Sequence, residues 1–253
     1  MRRFQFKVEY DGGNYAGWQV QNNAPTVQGM IEKALRDFNN GKLIRIHGAG
    51  RTDAGVHALG QVAHFDIETK LDANSFERAI NAKTPTDIHV YDCCEVDTDL
   101  HSRHSARRRT YIYKISTKYS PLNRNNHWWV RWDLDFDKLQ QCAKLIRGEH
   151  NFESFCRTAD QATSKVCFIY NSTWKKEDNL LTFTIAGTRF LHSMVRMLVG
   201  TMVEVARGKR SIEKFQAMLG KTTIGPTRLT APAHGLYLAR VEYQKDLDQA
   251  GIK

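Results

Sequence analysis

From Gly48 to Ala58 the chain reads Gly-Ala-Gly-Arg-Thr-Asp-Ala-Gly-Val-His-Ala, with Gly48, Gly50 and Gly55 bracketing Arg51 and Asp53. Glycines allow tight backbone geometry, so this segment can hold a carboxylate beside a cation in a fixed place. The same aspartate could instead close an Asx-turn in a surface loop. The gap from Gly50 to Gly55 is that of a phosphate-binding Walker loop, but Val56-His57 follows instead of Lys and Ser/Thr, and Gly48-Ala49-Gly50 is not completed to G-x-G-x-x-G. Nucleoside triphosphates are therefore not indicated. The five cysteines, Cys93, Cys94, Cys142, Cys156 and Cys167, form no C-x-x-C, and neither His57 with His64 nor His101 with His104 has zinc-ligand spacing. No metal is expected, and a reducing, cytoplasmic setting fits the cysteine usage.

A second stretch carries charge. No acidic residue occurs between Asp99 and Asp133, while Arg103, Arg107, Arg108, Arg109, Lys114, Lys118, Arg124 and Arg131 supply most of the formal net charge of +10. Tyr111, Tyr113, Tyr119, Trp128, Trp129 and Trp132 are interleaved with them. Cations for phosphates and rings for bases point to nucleic acid; the alternative is a solvated basic hairpin with its aromatics turned inward.

The elements that must position these groups follow from periodicity. With 253 residues, 41% hydrophobic and 25% charged, the chain has the make-up of a folded globular protein. Arg3 to Tyr10 alternates polar and apolar, which predicts a half-buried strand. Val27, Ile31, Ala34, Leu35 and Phe38 recur at helical spacing after a Thr26 cap, with Asn40-Gly41 as the stop. Strands are expected at 43–47, 61–67 and 88–96 and a second helix at about 74–82, giving the order β-α-β-β-α-β of a ferredoxin-like, split βαβ unit. The second half repeats that order: a strand at 110–116, a helix at 137–147, strands at 166–174 and 180–186, a long helix at 190–206, a short one at 212–219, and a closing strand at 235–243. The fold expected is α+β, two ferredoxin-like halves at 1–105 and 106–245, with a polar, frayed tail at 246–253.

Phe190 to Ala206 is the longest apolar run, but His192, Arg196 and Glu204 interrupt it, so it predicts a buried helix and no membrane span. At ~100° per residue, Arg196, Gly200 and Glu204 share a narrow polar stripe with His192 and Ser193, which could line a cleft or face water.

Gly50-Arg51-Thr52-Asp53-Ala54-Gly55-Val56-His57-Ala58 resembles the signature of the tRNA pseudouridine synthase A family. The similarity runs along nearly the whole chain: Tyr10-Asp11-Gly12, Gly17-Trp18-Gln19, Gln61-Val62-Ala63-His64-Phe65, Arg109-Thr110-Tyr111-Ile112-Tyr113, Phe190 to Arg196 with Val199-Gly200, and Ala231 to Leu238. Lys83-Thr84 departs from the pattern, where a leucine commonly precedes the proline; this touches local packing and not chemistry.

The resemblance implies a pseudouridine synthase fold with a central positively charged cleft, and isomerisation of uridine to pseudouridine at tRNA positions 38, 39 and 40 in the anticodon stem-loop. It implies no cofactor, a tRNA partner and a homodimer. Asp53 would be the nucleophile, acting on the ribose or on the uracil. Arg196 would keep it ionised and aimed, since a carboxylate in a closed site otherwise tends to protonate. Arg51 would hold the flipped nucleotide's backbone or order the loop, Tyr111 would stack on the uracil, and Leu236 would pack beneath it. Arg107, Arg108 and Arg109 are the expected phosphate contacts. The same chemistry at other tRNA uridines and a non-catalytic RNA-binding module are the alternatives. Asp53 in its loop separates catalysis from plain RNA binding, because the latter has no use for a buried acid.

Overall fold

The computed structural model describes residues 1–157, 163–220 and 229–251. The chain forms two compact units, Met1–Arg107 with Leu238–Lys253, and Arg108–Tyr237.

In the first unit β1 (Arg2–Tyr10) is followed by α1 (Val27–Leu35), β2 (Ile46–Gly48), β3 (His57–Ile67), α2 (Ala73–Asn81) and β4 (Ile88–Val96). β1 pairs antiparallel with β3 on one side and β4 on the other, and β2 lies on the far edge of β3. The resulting order, β4-β1-β3-β2, is that of the split βαβ unit. Alternation in β1 turns Phe4, Phe6 and Val8 inward to full burial, where Phe4 and Phe6 meet Phe65 of β3. Phe76 contacts the rings of Phe4 and Phe65 at centroid separations of 4.9 and 5.3 Å. Each such ring contributes ~1.5–3 kcal/mol by leaving water. Both helix starts are capped as side-chain chemistry requires: Thr26 accepts from the Gly29 amide and Asp72 from the Ser75 amide. α1 relaxes into a 3-10 turn at Arg36–Asn39 and stops at Asn40 and Gly41, both left-handed, with φ of 50° and 77°.

The second unit contains β5 (Arg108–Ser116), β6 (Trp128–Trp129), α3 (Phe136–Leu145), β7 (Gly148–Asn151), β8 (Val166–Glu177), β9 (Leu180–Gly187), α4 (Met194–Ala206) and α5 (Ile212–Ala217). β9 lies between β5 and β8, β7 extends the sheet beyond β8, and the short β6 runs parallel to the end of β5. Tyr113, Phe183, Trp174, Leu139, Leu198 and Met202 form its core. Gln140 of α3 clamps β8 by donating to the Trp174 carbonyl and accepting from its amide.

β10 (Leu236–Glu242) leaves the second unit and runs beside β3 of the first, followed by α6 (Gln244–Gln249). Among the described residues no helix is long and apolar enough to cross a membrane.

The structure corrects four expectations. The long helix begins at Met194 and not at Phe190, because Ser193 sits at φ 60° and the Met194 amide turns back to the Leu191 carbonyl. His192 and Ser193 therefore do not belong to its polar stripe. The tail is not frayed as far as Gln249: the Tyr243 amide donates to Asp246 and Leu247 is buried, which is enough to hold one short helix. β2 covers only Ile46–Gly48, the three residues that pair with β3, opposite Phe65, His64 and Ala63. Tyr113, grouped with base-stacking rings above, is wholly buried core.

Candidate active site

The loop carrying Asp53 joins β2 to β3, and its fixed points come from far along the chain. The Thr52 hydroxyl hydrogen-bonds the Tyr10 hydroxyl at 2.8 Å in a buried contact, and the Thr52 carbonyl accepts from the Trp18 amide. Gly55 donates its amide to the Tyr15 carbonyl, and the Gly12 amide donates to His57 Nδ1. On the other flank Gln61, fully buried, donates to the Gly50 carbonyl at 2.7 Å. Three glycines make these approaches possible. A Cβ at Gly12 would lie 2.0 Å from the Val56 carbonyl oxygen, one at Gly17 2.5 Å from that of Thr52, and one at Gly48 2.5 Å from the Trp18 indole nitrogen. The segments Tyr10-Asp11-Gly12 and Gly17-Trp18 thus form the bed on which the Asp53 loop lies.

Within the loop the turn is closed by backbone. The Val56 amide donates to the Asp53 carbonyl, and Gly55 takes the positive φ, 75°, that the turn needs. Thr52 is buried, Asp53 is half-buried and Arg51 is exposed. The arrangement fixes the backbone on either side of a carboxylate to the scaffold, which suits chemistry that tolerates little positional error.

Of the remaining site residues expected from the sequence, all but Arg107 lie on the second unit. Tyr111 points from β5 and is almost buried, meeting Phe190 edge-on at 5.0 Å. Arg196, on the first half of α4, donates from Nε to the Ala231 carbonyl at 2.8 Å, and the Ala231 amide donates back to the Arg196 carbonyl. The chain is pressed against α4 at this point, since a Cβ at Gly200 would lie 2.4 Å from the Leu229 carbonyl oxygen. Burial pushes the Tyr113 phenol well above its ordinary range, so it stays a neutral hydroxyl and donates to the Pro232 carbonyl at 2.7 Å. Arg196 and Tyr113 together hold Ala231–Pro232, the lead-in to Leu236, the buried first residue of β10. Gly235 is required there because a Cβ would lie 2.6 Å from the Tyr113 ring.

Of the three arginines expected at phosphates, Arg107 is exposed. Arg108 lies over the Tyr170 ring at 4.6 Å, and Arg109 donates to the Thr188 carbonyl at 2.9 Å. The first unit thus carries Arg51, Asp53 and Arg107, and the second Arg108, Arg109, Tyr111, Arg196 and Leu236.

Sequence reasoning did not single out Tyr10, Gly12, Gly17, Thr52 or Gln61 as positioning residues. Their signal was the two glycines, Gly12 and Gly17, close behind β1. The histidines form a cluster of their own: His64, buried, stacks with His47 at 5.1 Å and meets His101 edge-on at 4.8 Å. His64 Nδ1 accepts from the Ser102 amide, and burial, with Arg3 and neighbouring imidazoles, lowers its pKa to about 4. It is a neutral structural histidine. Among the described residues no group of three or more His, Cys, Asp or Glu could hold a metal ion.

Comparison with known proteins places this α+β chain, with its buttressed Gly-Arg-Thr-Asp-Ala-Gly loop between two strands, in a family. The family model described as tRNA pseudouridine synthase matches residues 7–105 and 142–244. The chain belongs to the tRNA pseudouridine synthase family. Over 95% of its length it is 39% identical to a protein from Halalkalibacterium halodurans called tRNA pseudouridine synthase A, covering 92% of that protein. Proteins of the same name from Ruminiclostridium cellulolyticum and Bacteroides thetaiotaomicron are 41% and 38% identical, with 96% and 98% of this chain aligned to 100% and 93% of theirs.

Proposed function

We propose that the protein isomerises uridine to pseudouridine in tRNA, at positions 38, 39 and 40 of the anticodon stem-loop, with Asp53 as the nucleophile. The observation that carries this reading is the Asp53 loop itself, whose backbone is fixed by Tyr10, Tyr15, Trp18 and Gln61. In the reaction the bond from uracil N1 to ribose C1′ breaks and a bond from C5 to C1′ forms. N1 ends protonated and C5 gives up its proton, so composition and redox state are unchanged. A carboxylate suffices to carry either half of this exchange, by attack on the sugar or on the ring. Arg196 is the cationic partner of Asp53, Arg51 holds the extruded nucleotide's backbone, Tyr111 stacks on the uracil and Leu236 packs beneath it. Arg107, Arg108 and Arg109 meet phosphates. The enzyme acts in the cytoplasm as a homodimer, without a cofactor.

Incubation with C5-tritiated tRNA transcripts, followed by mapping of pseudouridine, tests the reading. Tritium release at 38, 39 or 40 is expected from the wild type and none from Asp53→Asn, whose tRNA affinity should stay within about tenfold, ~1.4 kcal/mol. Asparagine preserves the loop's turn, so measurable pseudouridine from the variant would remove Asp53 as nucleophile. Modification at other uridines only would retain the chemistry and reject the positions.

A further inference from the structure

Where α4 gives way to α5 the second unit opens a cavity of about 520 Å³ lined by Lys138, Lys209, Arg210, Lys214 and Ser211, with Glu213 as the one carboxylate. The stretch from Arg207 to Lys214 lies outside the acid-free segment, and no role in the reaction falls to it. Its cations are of two kinds. Arg210 is tied to Glu204 at 3.0 Å and Lys138 to Asp135 at 3.1 Å, so these two are neutralised in place. Lys209 and Lys214 are exposed and make no ion pair among the described residues. The Arg207 guanidinium lies over the Trp132 indole, 3.5 Å from the ring centroid. Trp132 follows the exposed Arg131, the last cation of the acid-free stretch, so Arg207 brings the turn after α4 against the end of that stretch.

We infer that this basin is a second tRNA-binding surface, engaging backbone phosphates of the tRNA body outside the nucleotide that reacts; the inference rests on the proposed tRNA substrate. Three features favour a polyanion over a single small anion. The cavity is open, its two cations outside ion pairs are both exposed, and Arg207, over Trp132, sets a further cation beside the same turn. Its position supports a contact distant from the chemistry. α4 runs from near Arg196 to Ala206, and at ~1.5 Å per residue Arg207 lies roughly 16 Å from Arg196 along the helix. The core of α4 is buried throughout, which makes it a stiff spacer between the two. A phosphate contact at that remove fixes register and orientation without reading bases.

The test compares full-length tRNA with an isolated anticodon stem-loop oligonucleotide, using wild type, Lys209→Ala/Lys214→Ala, and the charge-reversed pair Lys209→Glu/Lys214→Glu. Both positions are exposed, so thermal unfolding should be unchanged. For full-length tRNA the alanine pair should weaken binding about tenfold. The slope of log affinity against log salt should flatten by ~0.7–0.9 for each phosphate no longer neutralised, and the glutamate pair should weaken binding further. Stem-loop binding should hold within about twofold. Equal weakening on both RNAs would place the basin at the reacting stem-loop, and unchanged binding of both would remove it from the RNA path; either overturns the inference. If the wild type forms no pseudouridine in any tRNA, the functional reading fails, which the variant comparison cannot mimic.

Discussion

Gly17→Ala is the sharpest probe of the idea that the loop's fixed backbone, and not merely the presence of Asp53, makes the site. Gly17 has φ +97°, where an L-residue costs ~1–2 kcal/mol, and its new methyl would stand 2.5 Å from the Thr52 carbonyl oxygen and 3.1 Å from the Asp53 carbonyl carbon. Ordinary contact begins near 3.4 Å, so Thr52 must retreat by about 0.9 Å. The Trp18 amide bond to that carbonyl, 3.2 Å at rest, goes with it. A misplacement of ~1 Å at a reacting group lowers turnover by ~10²-fold, whereas strain of this size lowers Tm by only a few degrees, at ~2–4 °C per kcal/mol. The comparator is Gly41→Ala, which has the same backbone handicap at φ +77° but nothing within 4 Å of its Cβ. Single-turnover tritium release and thermal unfolding of both variants give the answer. A small decrease in Tm for Gly41→Ala, a somewhat larger one for Gly17→Ala, and turnover lowered ~10²-fold only in Gly17→Ala are expected. If both variants keep turnover within about threefold of wild type, loop placement does not limit the chemistry.

Arg196→Ala should lower kcat more than tenfold while tRNA affinity holds. Removing the charged bond to the Ala231 carbonyl should cost ~1.5–3 kcal/mol in denaturant unfolding; normal turnover with that decrease in stability would make Arg196 purely structural. Stability should also fall as pH drops from 6.5 towards 4. The folded state keeps His64 neutral down to about 4, while the unfolded chain takes up its proton near 6.5. The unfolded state therefore binds more protons in that window, and the decrease reaches about 3 kcal/mol at its acid end. A His64→Gln variant whose stability declines just as steeply would assign the effect to other groups.

Where local chemistry decides structure, the sequence was legible. β1 declares itself by alternation, α1 and its Thr26 cap by spacing and a hydroxyl, and the hairpin of β8 and β9 by apolar runs flanking a turn at Asp178, whose φ is 49°. What escaped were elements made by tertiary contact. β6 and β7 are two and four residues long and exist because β5 and β8 offer them a ladder. Phe190 and Leu191 are apolar enough to continue α4, but Phe190 packs against Tyr111 and Ser193 turns the chain left-handed. At the site the glycine-rich loop stood out, yet its supports did not, because Tyr10 and Thr52 meet across 42 residues of chain. Only the family resemblance grouped those segments in advance.

The basic stretch shows why residue type alone ranks such groups poorly. In the sequence Arg107, Arg108, Arg109, Lys114 and Arg131 are equivalent positive charges. In the fold Arg109 donates to a carbonyl, Arg108 and Lys114 lie over the Tyr170 and Tyr237 rings at 4.6 Å, and Arg107 and Arg131 face water. A guanidinium already placed over a ring or on a carbonyl keeps its full charge but gives up little further side-chain entropy, of order 1–2 kcal/mol, when a phosphate arrives. An exposed arginine must lose that freedom on binding. Arg108 and Arg109 should therefore contribute more affinity per charge than Arg107 or Arg131, although all four release counterions alike. Single alanine variants at the four positions, titrated with tRNA across a salt series, check this: salt dependence counts the charges, and affinity at fixed salt reports how well the fold has placed them. Equal affinity decreases at all four positions would refute it.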